Sequence, residues 1–484
     1  MSSVAPALMR DGGPRSVRWL EPLAGLAVVA LVLAGSLSPL ATAAVLLTVG
    51  LVLGLAHWPF LITALLIVFM GNVKINFYLG FFTLFPEYIV LGIAAGLAFS
   101  TWLVRPAWPP ERRMLLAFAA WGFTGLLSLP YAMAPSRVLV RVVLIAMVAV
   151  TFIAVVLTVD SRRRLERSLT IWEVMATLYA LYGIIQMVGV VAGFDTTLRF
   201  MKPYSNPDLF IGIGSPVRRR IGDVFRANSM FNDPNILGGF LAASMTLVLA
   251  LRERHAEAGR KLRAGAESVA LFIMGACLLL TQSRSGVLGF LVGAAIVLAG
   301  KSRGLGRPKL WLGVAAMLVV VVGVAIALGV DPTLLSTRFA GMGDTSDTSN
   351  RQHLDVFVYG LQLLARYPLS GVGLGNFGLY YAAEQDAWYE KMMTHCAPLS
   401  YFAESGLPGG LAFLGIWWLV MSRLSRARAQ DPSLDRVRVG LFASLAAILV
   451  ANLFYDYITR TFVWVIVGLG IATVRLSERG TRPA

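Results

Sequence analysis

Apolar residues fill long, nearly uninterrupted stretches over most of the 484 residues, separated by short polar connections. A helix needs about 20 apolar residues to cross the hydrocarbon core of a bilayer, or about 17–25 when tilted. Fourteen stretches are candidate spans: 22–37, 39–56, 58–72, 84–104, 114–133, 138–159, 168–192, 235–251, 267–281, 285–300, 310–330, 397–421, 437–456 and 461–475. Several are short. The stretches 58–72 and 267–281 read as tilted, partial or longer than drawn, and a count of 12 competes with 14. A lipid-exposed backbone must satisfy its own hydrogen bonds. The pattern therefore predicts an all-α fold, a polytopic transmembrane helix bundle of about 12–14 spans forming one integral membrane domain over 1–484.

Two connections depart from the short ones, 193–234 and 331–396. Connections this long are commonly functional. Within the second, the stretch 350–366 repeats apolar residues at helical spacing: Leu354, Phe357, Val358, Leu361, Leu364 and Ala365. The spacing predicts an amphipathic helix on the membrane face, so this loop is expected to be partly helical.

Composition agrees with the pattern. Hydrophobic residues make up 57% of the chain and charged residues 14%, against about 45–50% and roughly 25% in soluble domains. Mean hydropathy is +0.72. A soluble multidomain enzyme is excluded. The charge is the odder quantity: 42 Lys+Arg against 26 Asp+Glu, a net +16. In a soluble protein that balance points to nucleic acid; in a membrane protein it first reports topology. Basic residues cluster in the alternate connections 10–18, 105–113, 162–167, 252–263, 301–309, 423–438 and 475–482. The positive-inside rule makes these segments, and both termini, cytoplasmic. The two long loops then fall on the outer, periplasmic side, where charge is close to balanced. No nucleic-acid partner is expected, and the first span reads as a signal anchor. Two places fit less well. The inner turn at His57 carries no basic residue of its own, and Arg137 and Arg141 fall near the outer side. Cys277 and Cys396 are too few for a disulfide framework and read as free thiols.

Candidate chemistry gathers at the outer boundary. Arg284 lies in Thr281-Gln282-Ser283-Arg284-Ser285-Gly286, a tight turn between two spans. It reads either as a side chain snorkelling to headgroups or as an anion site, and the small neighbours favour the site. Arg226 precedes Asn232-Asp233-Pro234-Asn235, a turn-and-cap signature. Arg218, Arg219 and Arg220 are three consecutive arginines on the outer side, read as a phosphate or acidic-glycan contact or as a solvated loop face. Arg351 and His353 open the amphipathic stretch, where a solvated helix face is the competing reading. His395 enters the span at 397 and is placed either to take a proton from a sugar hydroxyl or to pack at the interface. Glu404, nine residues on, falls on the opposite face of an undistorted helix and is a poor partner for it; Pro398 or Gly406 would have to distort the helix. Gly371-Val372-Gly373-Leu374-Gly375-Asn376-Phe377 is no dinucleotide fingerprint, because it follows a helical pattern and lacks the last glycine; it reads as a tight turn. Zinc is not expected: His395 and Cys396 are adjacent and no third ligand has suitable spacing. There is no Asp-x-Asp; the nearest is Glu384-Gln385-Asp386. A diphosphate handled here must be neutralised by arginines, whose planar forks suit it.

Four blocks in order resemble the O-antigen ligase/O-antigen polymerase family of bacterial membrane proteins. They are Arg226 with Phe231-Asn232-Asp233-Pro234-Asn235; Ser283-Arg284-Ser285-Gly286; Arg351 followed by Leu369-Ser370-Gly371-Val372-Gly373-Leu374-Gly375-Asn376-Phe377; and His395 with Glu404-Ser405-Gly406-Leu407-Pro408-Gly409. The resemblance covers roughly 220–415. One departure is Cys396, where the family often has asparagine. The resemblance implies a metal-independent, cofactor-free inverting glycosyltransferase in the bacterial inner membrane. It would take a glycan from an undecaprenyl-diphosphate carrier and pass it to a lipid A-core acceptor (a ligase) or to the next repeat unit (a polymerase). His395 and Arg284 would be catalytic, with Arg226, Arg351 and Arg218, Arg219 and Arg220 binding substrate. The competing classes are a transporter or flippase of lipid-linked sugars and a structural assembly partner. Transport is disfavoured because the singled-out residues lie at one boundary rather than at span centres.

Overall fold

Several helix starts are written into the chain. Pro135, Pro234 and Pro432 stand in the first turns of their helices, where a missing N–H is harmless. Asp233, Ser161 and Asp431 precede helices as caps, accepting from the amides of Asn235 at 2.7 Å, Arg164 at 3.4 Å and Ser433 at 2.8 Å. The computed structural model describes residues 52, 54–55, 57–71, 77–78, 83–84, 88–96, 111–193, 198–201, 211–213, 226–231, 233–299, 348–385, 394–427 and 431–480.

In chain order these form α1 (Phe60–Phe69), a hairpin of β1 (Phe77–Tyr78) and β2 (Thr83–Leu84), α2 (Arg112–Leu126), α3 (Pro135–Thr158) and α4 (Arg162–Ala192). A second hairpin of β3 (Leu198–Met201) and β4 (Ile211–Ile213) follows, then α5 (Pro234–Glu257), α6 (Lys261–Thr281) and α7 (Arg284–Ala299). The chain closes with α8 (Thr348–Arg366), α9 (Phe377–Glu384), α10 (Ala397–Arg426), α11 (Pro432–Ala451) and α12 (Thr461–Gly480). Among the described residues, six helices are long and apolar enough to cross a membrane: α3, α4, α5, α6, α10 and α12. The shorter α1 and α7 are apolar helices, α7 after its first two residues. The expected spans 22–37 and 310–330, and most of 39–56, lie outside the described residues, and of 84–104 only Leu84, in β2, and the helical residues 88–96 are described.

Several helices overrun the expected spans at one end, whereas α1, lying inside 58–72, and the ends of α2 and α11 stop short of them. Helix α4 begins six residues before 168, α5 continues to Glu257, and α11 starts at Pro432 rather than 437. Hydropathy marks the hydrocarbon slab, whereas backbone hydrogen bonding carries a helix on into the polar interface. The two short antiparallel hairpins are an addition to the all-helical expectation; β3 pairs Leu198 with Ile213 and Arg199 with Gly212.

Helix α5 is the axis of the bundle, buried along almost its whole length from Pro234 to His255. Helices α6, α7 and α11 pack around it. Helix α7 approaches on glycines: a β-carbon on Gly286 would stand 2.7 Å from the Gly238 carbonyl oxygen, and one on Gly289 2.7 Å from that of Ala447. Such close backbone approach is how helices pack where lipid supplies no hydrophobic drive between them. Helix α12 is buried from Phe462 to Val474 and rests on α3 and α11. Aromatic rings fill the space between these layers: Phe231, Phe240 and Phe462 meet at 5.1–6.4 Å, and Trp121 lies 4.8 Å from Tyr401.

The two ends of the bundle differ in chemistry. At one end arginines meet carboxylates: Arg254 with Glu166, Arg263 with Glu173, Arg436 with Glu257, Arg423 with Glu478 and Arg162 with Asp431. At the other, turns and helix termini interlock through hydroxyls, amides and carbonyls.

Candidate functional site

The site is built at that second end, starting from Arg226. The segment ahead of α5 runs beside the end of α6, where the Ala227 amide donates to the Leu280 carbonyl at 3.0 Å. The last carbonyls of a helix lack internal partners and carry the negative end of its dipole. Arg226, buried, supplies what they need: Nε donates to the Thr281 oxygen at 2.8 Å, and Nη2 donates to Asn235 Oδ1 at 2.8 Å and to the Gln282 oxygen at 3.5 Å. The arginine thus ties the end of α6 to the start of α5. The turn it braces is tight, with Gln282 in the left-handed region at φ 52°.

Helix α7 begins at once on the far side of that turn. Ser283 caps it, its Oγ accepting from the Gly286 amide at 3.2 Å. Arg284 is its first residue and is half-buried. The hydroxyls continue inward. Ser283 Oγ lies 3.3 Å from Ser285 Oγ, which lies 3.3 Å from the Tyr457 hydroxyl, and that hydroxyl donates to the Asn235 carbonyl at 3.0 Å. Burial raises the Tyr457 phenol above its ordinary range, so it stays a neutral donor. Two helix N-termini, of α5 and α7, therefore open at one place with an arginine on the second. The positive dipole ends favour an anion there.

His395 reaches the same end from the opposite side. Its backbone is held at φ 55°, a left-handed conformation that non-glycine residues adopt at a cost of about 1–3 kcal/mol. Its neighbours hold it there. Thr394 Oγ1 donates to the Cys396 carbonyl at 2.8 Å, lies 2.6 Å from Ser400 Oγ and accepts from the Cys396 amide at 3.2 Å. The Ala397 amide donates to the Asn452 carbonyl at 2.9 Å, and Asn452 Oδ1 accepts from the Tyr457 amide at 2.9 Å. The His395 ring lies 6.1 Å from that of Tyr455, which lies 5.5 Å from Tyr457. A ladder of two tyrosines thus links the histidine loop to the Ser283–Ser285 cap. Burial raises the Cys396 thiol above its ordinary range, which keeps it un-ionised at neutral pH.

Glu404 takes a different role from that of a partner to His395. It is buried, and its Oε1 accepts from the Phe377 amide at 3.3 Å at the head of α9. The glycine-rich block is the tight turn expected of it, wrapped onto a break in α10 where Gly406 has φ 66° and ψ −173°. Val372 and Gly373 donate to the carbonyls of Ala403 and Glu404 at 3.1 and 2.8 Å, and Leu407 donates to the Pro368 carbonyl at 2.7 Å. A side chain at Gly371 would collide with the Glu404 backbone. Arg141, one of the arginines that broke the charge rule, interacts electrostatically with Glu404, Tyr401 and Asp456. Asp456 sits beside the tyrosine ladder and accepts from Tyr401 at 3.5 Å and from the Ile458 amide at 2.9 Å.

The structure therefore brings Arg226, Arg284 and His395 to one end. Arg351 lies near the start of α8, at Thr348–Arg366, as the apolar spacing led one to expect of that stretch. The face of α8 that packs inward is Val356, Tyr359 and Leu363, whereas Leu354, Phe357, Val358 and Leu361 are exposed. Arg218, Arg219, Arg220 and Asn232 lie outside the described residues. Sequence reasoning did not single out Tyr455, Asp456, Tyr457, Asn452 or Tyr401. For Arg141 the signal was its place on the wrong side of the charge rule.

Residues 269–414 match the family model described as O-Antigen ligase. The match takes in the Ser283–Gly286, Arg351–Phe377 and His395–Gly409 blocks, and the Arg226 block precedes it. No curated protein matches the chain.

Proposed function

We propose that this chain, a multi-pass membrane protein whose residues 269–414 match the O-antigen ligase family, is a glycosyltransferase acting on a lipid-linked glycan. The donor is a glycan on undecaprenyl diphosphate, and the acceptor is a hydroxyl of lipid A-core or of the next repeat unit. The protein sits in the bacterial inner membrane with the basic end and both termini cytoplasmic, so the His395 end faces the periplasm.

The acceptor oxygen attacks the anomeric carbon in line, the bond from that carbon to the diphosphate breaks, and the configuration inverts. His395 takes the proton of the attacking hydroxyl. The electron pair of the broken bond leaves on the diphosphate, whose growing charge meets Arg284 and the N-termini of α5 and α7. Arg226 acts by keeping that turn in place, and Arg351 with Arg218, Arg219 and Arg220 adds contacts to phosphate or glycan. The donor is already activated, so the reading calls on no metal or cofactor.

One observation carries this reading: the anion-favouring cap at Arg284 and the strained His395 loop stand at one end of the bundle, joined through Tyr455 and Tyr457. The test is glycan transfer in vesicles supplied with lipid-linked donor. His395→Ala and Arg284→Ala each lower transfer by about 10²–10⁴-fold and 10²–10³-fold while the protein stays inserted. Wild-type-like transfer by both variants overturns the assignment. Movement of labelled donor across the membrane without glycan transfer makes the protein a flippase instead. Deleting the gene separates ligase from polymerase: carrier-linked polymer accumulates in the first case and single repeats in the second.

A further inference from the structure

The run Arg162-Arg163-Arg164 with Arg167 reports topology, but its four side chains do not share one fate. Arg162 pairs with Asp431, and Arg164 with Asp160 at 2.9 Å and with the Thr158 carbonyl at 3.2 Å. Arg163 and Arg167 make no ion pair or hydrogen bond among the described residues, and both are exposed. Four residues apart on α4, they share one face of the helix.

That face borders an open groove between α1 and α4, a cavity of about 490 Å³ lined by Phe60, Arg163, Glu166, Arg167, Thr170 and Ile171. Its apolar lining residues are Phe60 and Ile171, and its cationic ones Arg163 and Arg167. Glu166 does not neutralise them, because both its oxygens are held by Arg254, at 3.0 and 2.7 Å. Just ahead of α1, Trp58 is 63% exposed. An exposed tryptophan at the end of an apolar helix marks the headgroup level of a bilayer. The groove therefore opens at the depth where a phosphodiester lies, with acyl chains continuing along the lipid-facing side of α1 and α4.

We infer that this groove binds the headgroup of an anionic phospholipid, its phosphate between Arg163 and Arg167 and its first acyl methylenes on Phe60 and Ile171. By the charge rule the lipid belongs to the cytoplasmic leaflet, at the opposite end from the proposed reaction. Occupancy would clamp α1 against α4.

The test is native mass spectrometry of the full-length protein in detergent, titrated with dioleoyl phosphatidylglycerol, with dioleoyl phosphatidylcholine and with inorganic phosphate. Each arginine near an anionic lipid contributes about a factor of five in affinity, so Arg163→Gln/Arg167→Gln is expected to weaken phosphatidylglycerol binding roughly 25-fold. Arg162→Gln, which removes a paired arginine, leaves it within about twofold. Arg163→Lys/Arg167→Lys keeps the charge and restores most of the binding. Phosphatidylcholine binds wild type and double variant equally weakly, and inorganic phosphate does not compete at millimolar concentration. Equal retention of phosphatidylglycerol by wild type and double variant overturns the inference. So does equal retention of the two lipids by wild type. Competition by inorganic phosphate also overturns it, by making the groove a free-anion site.

Discussion

At the basic end of the bundle Arg254 grips both oxygens of Glu166, and its neighbour His255 meets the buried Glu267 at 2.7 Å. At the opposite end Arg226 donates to the carbonyls that close α6 and to Asn235. The same side chain does two kinds of work. Where arginine meets carboxylate, charge is cancelled within the protein and a helix end is locked. Where arginine meets backbone carbonyls, it braces a turn and opposes the partial negative charge of a helix end. The histidines divide in the same way, His255 locked between Arg254 and Glu267, His395 perched on a strained loop against an aromatic ring.

The sharpest way to break this contrast is to exchange the fates of the two histidines. His395→Gln lowers glycan transfer by about 10²–10⁴-fold and leaves the melting temperature within a degree or two, whereas His255→Leu leaves transfer near wild type and strips Glu267 of a buried partner, at a cost of about 1–3 kcal/mol. Parallel transfer assays and thermal unfolding in detergent separate the two. Equal loss of transfer by both variants means the ends are not functionally distinct.

Next in size is Gly286→Val, which sets a branched side chain against the Gly238 backbone in the seam between α5 and α7. Overpacking at a backbone contact destabilises by about 1–3 kcal/mol or more, and it displaces Arg284 with the helix that carries it. Size-exclusion profiles and melting curves report the first effect. A drop in transfer larger than the lost folded fraction reports the second.

Arg226→Gln and Arg254→Gln compare the two arginines directly. Each removes charged hydrogen bonds contributing about 1.5–3 kcal/mol apiece in a protected setting, less at Arg254 because Glu166 is 35% exposed. Both variants melt earlier, but only Arg226→Gln also lowers the kcat of transfer, because its turn carries Arg284. Identical kinetics in the two variants remove the positioning role.

The smallest effects check the background. Arg162→Gln breaks an exposed pair with Asp431 and shifts stability by less than about 1 kcal/mol. Cys396, its thiol pKa raised by burial, reacts slowly with maleimide at pH 7. Its rate keeps climbing at alkaline pH, beyond the point where an exposed thiol levels off, because the thiolate is the reactive form. Rapid labelling at pH 7 shows that the loop around His395 opens.

Much of the architecture was legible before any coordinates. The Asp233-Pro234-Asn235 signature marked a true helix start, and the apolar spacing of 350–366 marked α8. The inward face of α8 was not legible, because Leu354, Phe357, Val358 and Leu361 repeat at the same spacing as Val356, Tyr359 and Leu363; two apolar faces lie on one helix, and periodicity does not say which one the protein takes. Glu404 was set aside as a partner for His395. The structure turns it instead toward the amides of Gly375 and Phe377 and toward Arg141, the last a relation between segments more than 260 residues apart.

By itself the sequence determined the class of molecule, the alternation of basic and near-neutral connections, and the short blocks that resemble those of O-antigen ligases. These are properties of local composition: transfer of a segment into hydrocarbon depends on that segment's own residues, and so does a cap. Only the tertiary structure decided that Arg226 braces rather than stands open, that Tyr455 and Tyr457 bridge His395 to the α7 cap, and that Arg163 and Arg167 face a groove while Arg162 and Arg164 are paired. Those outcomes depend on how each helix is rotated about its axis and which neighbour it meets. That is settled by the packing of the whole bundle around α5, where glycine seams and aromatic rings admit one arrangement.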